Sequence, residues 1–234
     1  MDFTRALTYS FDDPDWVTKL GIAAGIALLF FIPIIGSIPA WILLAGWSLE
    51  IAKRVRASDS NPLPRWDFGT IFSRGLNPFI AFIIYELPIV ILACVAAGIF
   101  AVAASGGGNN EDLSNALGGF GSLVCLCCGC LAFLYAIAAA IVYWGGYIRY
   151  LDSEQLGTFF QFGDNFALVQ NNVGDFGQAA LFLIAGGFVI SLVGSVIPIL
   201  GTAAAIALQQ AYGGHILGQL ASKLRSGSTM TPAV

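Results

Sequence analysis

Long charge-free runs alternate with short polar segments along this chain, and the alternation predicts its elements. No Asp, Glu, Lys, Arg or His occurs from Gly21 to Leu49 or from Leu113 to Ile148, and between Glu86 and Asn110 the only one is Glu86 itself. A hydrocarbon layer about 30 Å thick takes roughly 20 apolar helical residues per crossing. The runs therefore predict six spans, near Trp16 to Ile32, Ser37 to Val55, Pro78 to Val102, Leu117 to Tyr147, Gly177 to Val196 and Thr202 to Ser222. Ile32-Pro33-Ile34-Ile35-Gly36 joins the first two spans and Ile197-Pro198-Ile199-Leu200-Gly201 the last two. Proline has no amide donor with which to continue a helix, and glycine accepts backbone angles that other residues resist. Each segment thus reads as a tight turn between antiparallel helices at the outer surface. The alternative is a single kinked helix, but the run from Lys19 to Glu50 is longer than one span needs.

Each pair of spans follows an aromatic, amphipathic lead-in: Phe3 to Trp16, Trp66 to Phe79 and Phe160 to Phe176. The second and third share an aromatic-x-Phe-Gly-x-x-Phe pattern, at Trp66, Phe68, Gly69, Phe72 and at Phe160, Phe162, Gly163, Phe166. The first and third share Asp-aromatic, at Asp15-Trp16 and Asp175-Phe176. This weak internal repeat predicts three hairpins, each with an interfacial foot lying at the headgroup boundary. Ordinary loops whose aromatics pack on helix ends are the alternative.

Charge then orients the chain. Arg5, Lys19, Lys53, Arg54, Arg56, Arg65, Arg74, Arg149, Lys223 and Arg225 flank one set of span ends, whereas the other set carries only Glu111 and Asp112. An excess of Lys and Arg marks the cytoplasmic side, so both termini are expected there, in the cell membrane. Gly106 to Asn110 then forms an outer loop, and 226–234 a flexible tail after a single membrane domain, 1–225.

Composition supports the bilayer reading. The 234 residues are 57% hydrophobic and only 10% charged, with a mean hydropathy of +0.81, against roughly 25% charged in soluble domains. A net charge of −4 without a basic stripe argues against nucleic acid. Asp12, Asp13 and Asp15 before a long apolar run do not match a cleavable signal, so the N-terminus is expected to be retained.

Arg5-Ala6-Leu7-Thr8-Tyr9, Asp13-Pro14-Asp15-Trp16, Ile32 to Gly36, the basic exit from Glu50 to Arg56 and Pro64-Arg65-Trp66-Asp67-Phe68-Gly69 together resemble the family called domain of unknown function 4013. The resemblance implies a prokaryotic multi-span membrane protein and supplies no activity or catalytic residues. One departure is Glu86, before Leu87-Pro88, where the family is apolar.

Three groups of residues are candidates for chemistry. In Cys125-x-Cys127-Cys128-x-Cys130, the pairs 125/128 and 127/130 point to different faces of a helix, so one metal cannot collect all four. Cys94 with one pair makes a three-sulfur site conceivable; small apolar packing residues are the preferred reading, and no metal is assigned. Ala204, Ala207, Ala211, Gly214, Gly218 and Ala221 form a small-residue seam on the last span, with Gly21 and Gly25 a shorter version, where another backbone can approach. Glu86 and His215 are ionisable groups at similar depth in different spans and are expected to meet as an intramembrane polar pair, near Gln209, Gln210 and Tyr212. A hydrogen-bonded structural pair is the plain reading, and proton or ion handling the sharper one.

With a single His, no phosphate loop ending in Lys and no paired membrane carboxylates, the sequence points away from an enzyme and implies no cofactor. The expected fold is an all-α polytopic transmembrane bundle of about six spans as three hairpins. The expected function is that of a structural or accessory component packing with other membrane protein subunits or with itself in the lipid bilayer. The alternative is a small transporter or channel using Glu86 in a polar cavity. A third, a membrane enzyme, would need a polar pocket at the inner interface with residues such as Asp67, Arg74 and Asp164. The charge asymmetry makes a direct prediction: in a background without native cysteines, a cysteine at Asn109 will react with an impermeant maleimide from outside intact cells and one at Ser60 will not, the reverse pattern inverting the topology.

Overall fold

The computed structural model describes residues 1–59, 63–105 and 111–227, with the side chains of 104 and 111–114 excluded. The described chain is all α-helical with no strand: α1 (Phe3–Thr8), α2 (Trp16–Ala27), α3 (Ser37–Arg56), α4 (Phe68–Ser105), α5 (Glu111–Ser153), α6 (Phe162–Asn171), α7 (Val173–Gly194) and α8 (Leu200–Ser226), with 3₁₀ turns at Tyr9–Asp12, Leu28–Phe31 and Leu156–Phe160. Ser60, Asn109, the 106–110 loop and the tail from 228 lie outside the described residues.

Six helices fall where six spans were expected, but only α4, α5 and α7 are long and apolar enough to cross a membrane, with a fourth if α1 and α2, bent by 105°, count as one broken span. α3 falls short because Glu50, Lys53, Arg54 and Arg56 take up its last two turns, and α8 because Gln209, Gln210 and His215 lie within its apolar stretch.

The helices form two compact units, 1–80 with 144–234, and 81–143. In the first unit α3 and α8 are central, with α2 and α7 packed beside them. A Cβ on Gly214 would reach the Ser48 carbonyl at 2.5 Å, and one on Gly218 would meet Val55 Cβ at 2.6 Å and the Ala52 carbonyl at 2.7 Å. Residue numbers rise together along both helices, so the pair is parallel. Ala207, Ala211 and Ala221 are buried with these glycines, whereas Ala204 is exposed and Ala203 takes the inward place. A straight helix explains the exchange: at 3.6 residues per turn Ala203 lies about 20° from Gly214 around the axis and Ala204 about 80°. Gly46 and Gly75 make a second backbone contact, between α3 and the start of α4, each facing the other helix's carbonyl at Ile71 or Ile42. Around these approaches Trp47, Leu44, Ile51 and Leu63 fill the core with Tyr9 and Ala23.

The two turns are built alike. In each, the residue after proline has positive φ, 64° at Ile34 and 61° at Ile199. The next amide donates back to the proline carbonyl, Ile35 to Pro33 and Leu200 to Pro198, both at 2.7 Å. With ψ −69° at Ile199, this is the rare classic γ-turn. The glycines serve a different purpose from the one the sequence implied. Gly36 has helical angles, φ −87° and ψ −39°, and is needed because a Cβ there would strike the Leu29 carbonyl, as one on Gly201 would strike that of Gly194.

The lead-ins differ from one another. The first is α1 plus a 3₁₀ turn and the third is a 3₁₀ turn plus α6, but the second is no separate foot, because Phe68 already begins α4. Pro78 does not break that helix. The carbonyl it leaves without a donor, on Arg74, accepts from the Tyr150 hydroxyl at 3.4 Å.

In the second unit, the α4 and α5 segments run antiparallel. Tyr85 and Phe82 lie edge-on to Tyr143, the Cys125 thiol is 3.8 Å from the Ala96 carbonyl, and Gly121 packs on Phe100 and Ala103.

The α3–α8 approach predicts a graded response. Gly218→Val is expected to cost at least 1–3 kcal/mol by overpacking, and Gly213→Ala, whose new methyl would meet only Leu183 at 3.8 Å, to be tolerated. Thermal aggregation of the two variants in mild detergent checks this.

Candidate functional site

The polar groups of the first unit gather where α3 and α8 end and α4 begins. Glu50 accepts from Arg54 one turn on, at 3.2 Å, and from Arg74 of α4. Lys53 pairs with Glu154 just after α5. Asp152 lies between Arg56 at 2.8 Å and Arg225 of α8 at 3.6 Å, while Arg56 Nη2 also donates to the Leu151 carbonyl at 3.1 Å. The Arg56 Nη1 approach to Asp152 is close but misaligned for a hydrogen bond. Lys223 reaches Asp175 at the start of α7, 2.5 Å away. The C-terminal end of α3 is thereby tied to α4, α5 and α8 by charge. The hydrogen bond from Lys53 holds the Glu154 carboxyl below its usual range, and the Thr70 hydroxyl does the same for Asp67.

Two contacts in this layer were not foreseen. Lys19 is buried and donates to Asp13 at 2.5 Å and to the Leu63 carbonyl at 3.0 Å. Asp13 also accepts from the Asp15 amide at 2.8 Å, so a compact Asp-Pro-Asp corner holds the carboxylate against the second turn of α2. Trp66 donates to the Lys19 carbonyl at 2.9 Å and stacks on Trp47 with centroids 5.2 Å apart. The six-residue spacing of Asp13 and Lys19 across a helix start was the available signal. On α6, Asn165 is fully buried, donates to the Thr158 and Phe159 carbonyls and accepts from Arg149 at 2.8 Å. Gly145 and Gly146 of α5 make room for it.

His215 is buried on α8 beneath the N-terminal foot, its ring 4.2 Å from that of Tyr9. The Tyr9 hydroxyl donates to the Ala211 carbonyl at 3.0 Å. Gln219 pairs with the backbone of Asp2, accepting from its amide at 2.6 Å and donating to its carbonyl at 3.1 Å. That pairing fixes the Gln219 amide, so its nitrogen faces His215 Nδ1 at 2.9 Å. A nitrogen that receives an N–H carries no proton, so the imidazole proton sits on Nε2. Beside His215, Gln209 donates to Ser191 and Gly187 of α7, and the Tyr212 hydroxyl to the Phe182 carbonyl.

Glu86 belongs to the second unit and is half-buried, one residue after Tyr85, whose carbonyl accepts from Tyr135 at 3.0 Å. Glu86 belongs to the second unit and His215 to the first, where Gln219 faces His215 Nδ1. Cys94, Cys127 and Cys130 are exposed, Cys125 and Cys128 half-buried, and all are free thiols. No group of three or more metal-ligating side chains occurs among the described residues. A small cleft lined by Asn172, Asp175, Lys223 and Ser226 opens at the polar end.

A chain whose described residues are all helical, with at least three helices long and apolar enough to cross a bilayer, is a membrane protein. It belongs to the family described as Protein of unknown function (DUF4013), which matches residues 23–199. The match takes in the first Pro-Gly turn, the Glu50 to Arg56 exit and Pro64 to Gly69, but not the Arg5 to Trp16 opening that contributed to the resemblance. No curated protein and no solved structure matches the chain.

The buried pair predicts a double-mutant signature. Asp13→Asn or Lys19→Met alone is expected to cost about 3–5 kcal/mol by stranding the other charge, and Asp13→Leu with Lys19→Met to recover most of that loss. Urea unfolding in mixed micelles, followed by tryptophan fluorescence, measures the coupling.

Proposed function

We propose that the protein is a non-enzymatic accessory component of the cytoplasmic membrane, a multi-pass scaffold with both termini cytoplasmic that packs with other membrane proteins or with a second copy. The observation that carries this reading is the surface of α5. None of the apolar stretch of this helix is buried, and alongside its exposed Leu123, Leu126 and Leu134 lie the small residues Ala116, Gly119, Ser122, Cys127, Gly129 and Cys130. A Cβ on Gly119 or Gly129 would meet nothing within 4 Å. Acyl chains are no more attracted to glycine than to leucine, whereas another helix backbone can approach only where side chains are small.

A transporter using Glu86 is the second reading, supported by a half-buried carboxylate beside Tyr135 on α4, which continues through Pro88. Its signature is substrate-coupled proton flux that Glu86→Gln abolishes.

The scaffold reading predicts that protein extracted in digitonin migrates as a complex larger than one chain plus its micelle, with a stoichiometric companion or second copy. Gly119→Leu with Gly129→Leu is expected to release a single chain of unchanged helix content. A wild-type chain that is alone in digitonin and in native nanodiscs overturns it.

A further inference from the structure

We infer that the two Ile-Pro-Ile turns of the first unit end inside the hydrocarbon layer, so that the α2–α3 and α7–α8 hairpins enter the membrane from one face and stop short of the other, their tips covered by acyl chains. This revises the expectation that the turns reach the outer surface, and it is independent of the scaffold reading.

The tips are apolar on the outside. Ile34 and Ile35 are 73% and 83% exposed, with Phe31 and Ile32 beside them, and Val196, Ile197, Ile199 and Leu200 are exposed at the second turn. No charged residue lies between Gly21 and Leu49 or between Phe176 and Gly214.

Their backbones are closed in part by the chain itself. Pro33 and Pro198 have no N–H to satisfy. The following amides, of Ile35 and Leu200, bond back across the γ-turn, and those of Gly36 and Gly201 bond to the Ile32 and Ile197 carbonyls at 3.2 and 2.8 Å. A residue with a side chain resists left-handed φ, and a surrounding without water favours a closure that gives an amide a partner within the chain. The same closure occurs twice, on isoleucine each time.

Length gives the depth. From Ser37 to Glu50 the helix rises roughly 20 Å, and from Lys19 to Phe31 about the same. The α3–α8 register, Gly214 against Ser48, brings Leu200 level with Ile34, so both tips lie in one layer. The hydrocarbon core is about 30 Å thick. If the tips reached its far side, Glu50 would lie roughly 10 Å inside it, together with its partners Arg54 and Arg74, whose side chains remain 34% and 32% exposed. Charged groups facing lipid at that depth are costly. With the Glu50 ion pairs at the headgroups, the tips lie about 10 Å short of the opposite face, and the Asp175–Lys223 pair that closes the longer second hairpin lies on the water side of that level.

A nitroxide on a cysteine at Ile35, and separately at Leu200, in a chain whose five native cysteines are alanine, tests this in phosphatidylcholine vesicles. The expected result is ready collision with oxygen and exclusion of a water-soluble nickel chelate at both sites, the opposite of a label at exposed Arg65. Nickel access at either turn matching that at Arg65 overturns the inference. If the alanine background does not fold, the native-cysteine chain decides: Ile35→Asp is expected to lose most of the monodisperse yield that Ile35→Ala retains, and equal yields overturn it.

Discussion

The close parallel approach of α3 and α8 is the constraint on which the first unit depends. Only glycine at 214 and 218 lets the α8 backbone meet Ser48, Ala52 and Val55, and once the two helices are parallel their ends are no longer independent. The turns that precede them must lie at one end, and the charges that close them, Glu50 to Arg56 on α3 and Lys223 with Arg225 on α8, must lie at the other. A polar layer and an apolar layer follow without further instruction. The arrangement also accounts for the alanine and glycine of α8, since a helix that another backbone approaches closely gains from small side chains.

The polar layer is neutralised internally. Among the described residues, nine of the ten Lys and Arg take part in ion pairs, the exception being Arg65. Orientation in a membrane responds to the number of Lys and Arg during insertion and little to the acids beside them. The same residues can therefore direct insertion and afterwards become fasteners between helices. Most of these pairs are solvent-screened and individually weak. Asp13 with Lys19 is different, because burial removes the screening and makes the loss of either partner expensive.

How much of this was legible follows from which physical signals are local. Charge-free runs and the Pro-Gly segments placed every long helix, and the spacing of Ala207, Ala211, Gly214, Gly218 and Ala221 placed residues that the structure buries along α8. Ala204, at the upper end, is exposed, because an alternating three-and-four spacing follows 3.5 residues per turn and a straight helix does not. The turn chemistry was hidden for a different reason. Glycine is the usual carrier of positive φ, but here isoleucine carries it and glycine relieves a backbone collision, a distinction that needs coordinates. Asp13-Pro14-Asp15-Trp16 was visible only as a family-like motif, since nothing in local spacing shows that Leu63 and Trp66 come to Lys19 from far along the chain.

The two hairpins show which part of such a repeat is free to vary. Their turns correspond atom for atom at a separation of 165 residues, including the backbone collisions that Gly36 and Gly201 avoid with Leu29 and Gly194. Their other ends do not. The first is closed by a foot that bends through 105° and anchors Tyr9 on Ala211, whereas the second has longer arms, roughly 28 Å from Asp175 to Gly194, and a foot joined through Asn172, whose side chain caps the Leu168 carbonyl at 2.8 Å. The difference follows from where solvent can help. At the polar end water and ion pairs can satisfy many arrangements of chain, so lengths and feet diverge; at the tips water gives less help, and one turn geometry recurs. Two hairpins that differ everywhere except at their most strained point are what that asymmetry of solvent produces.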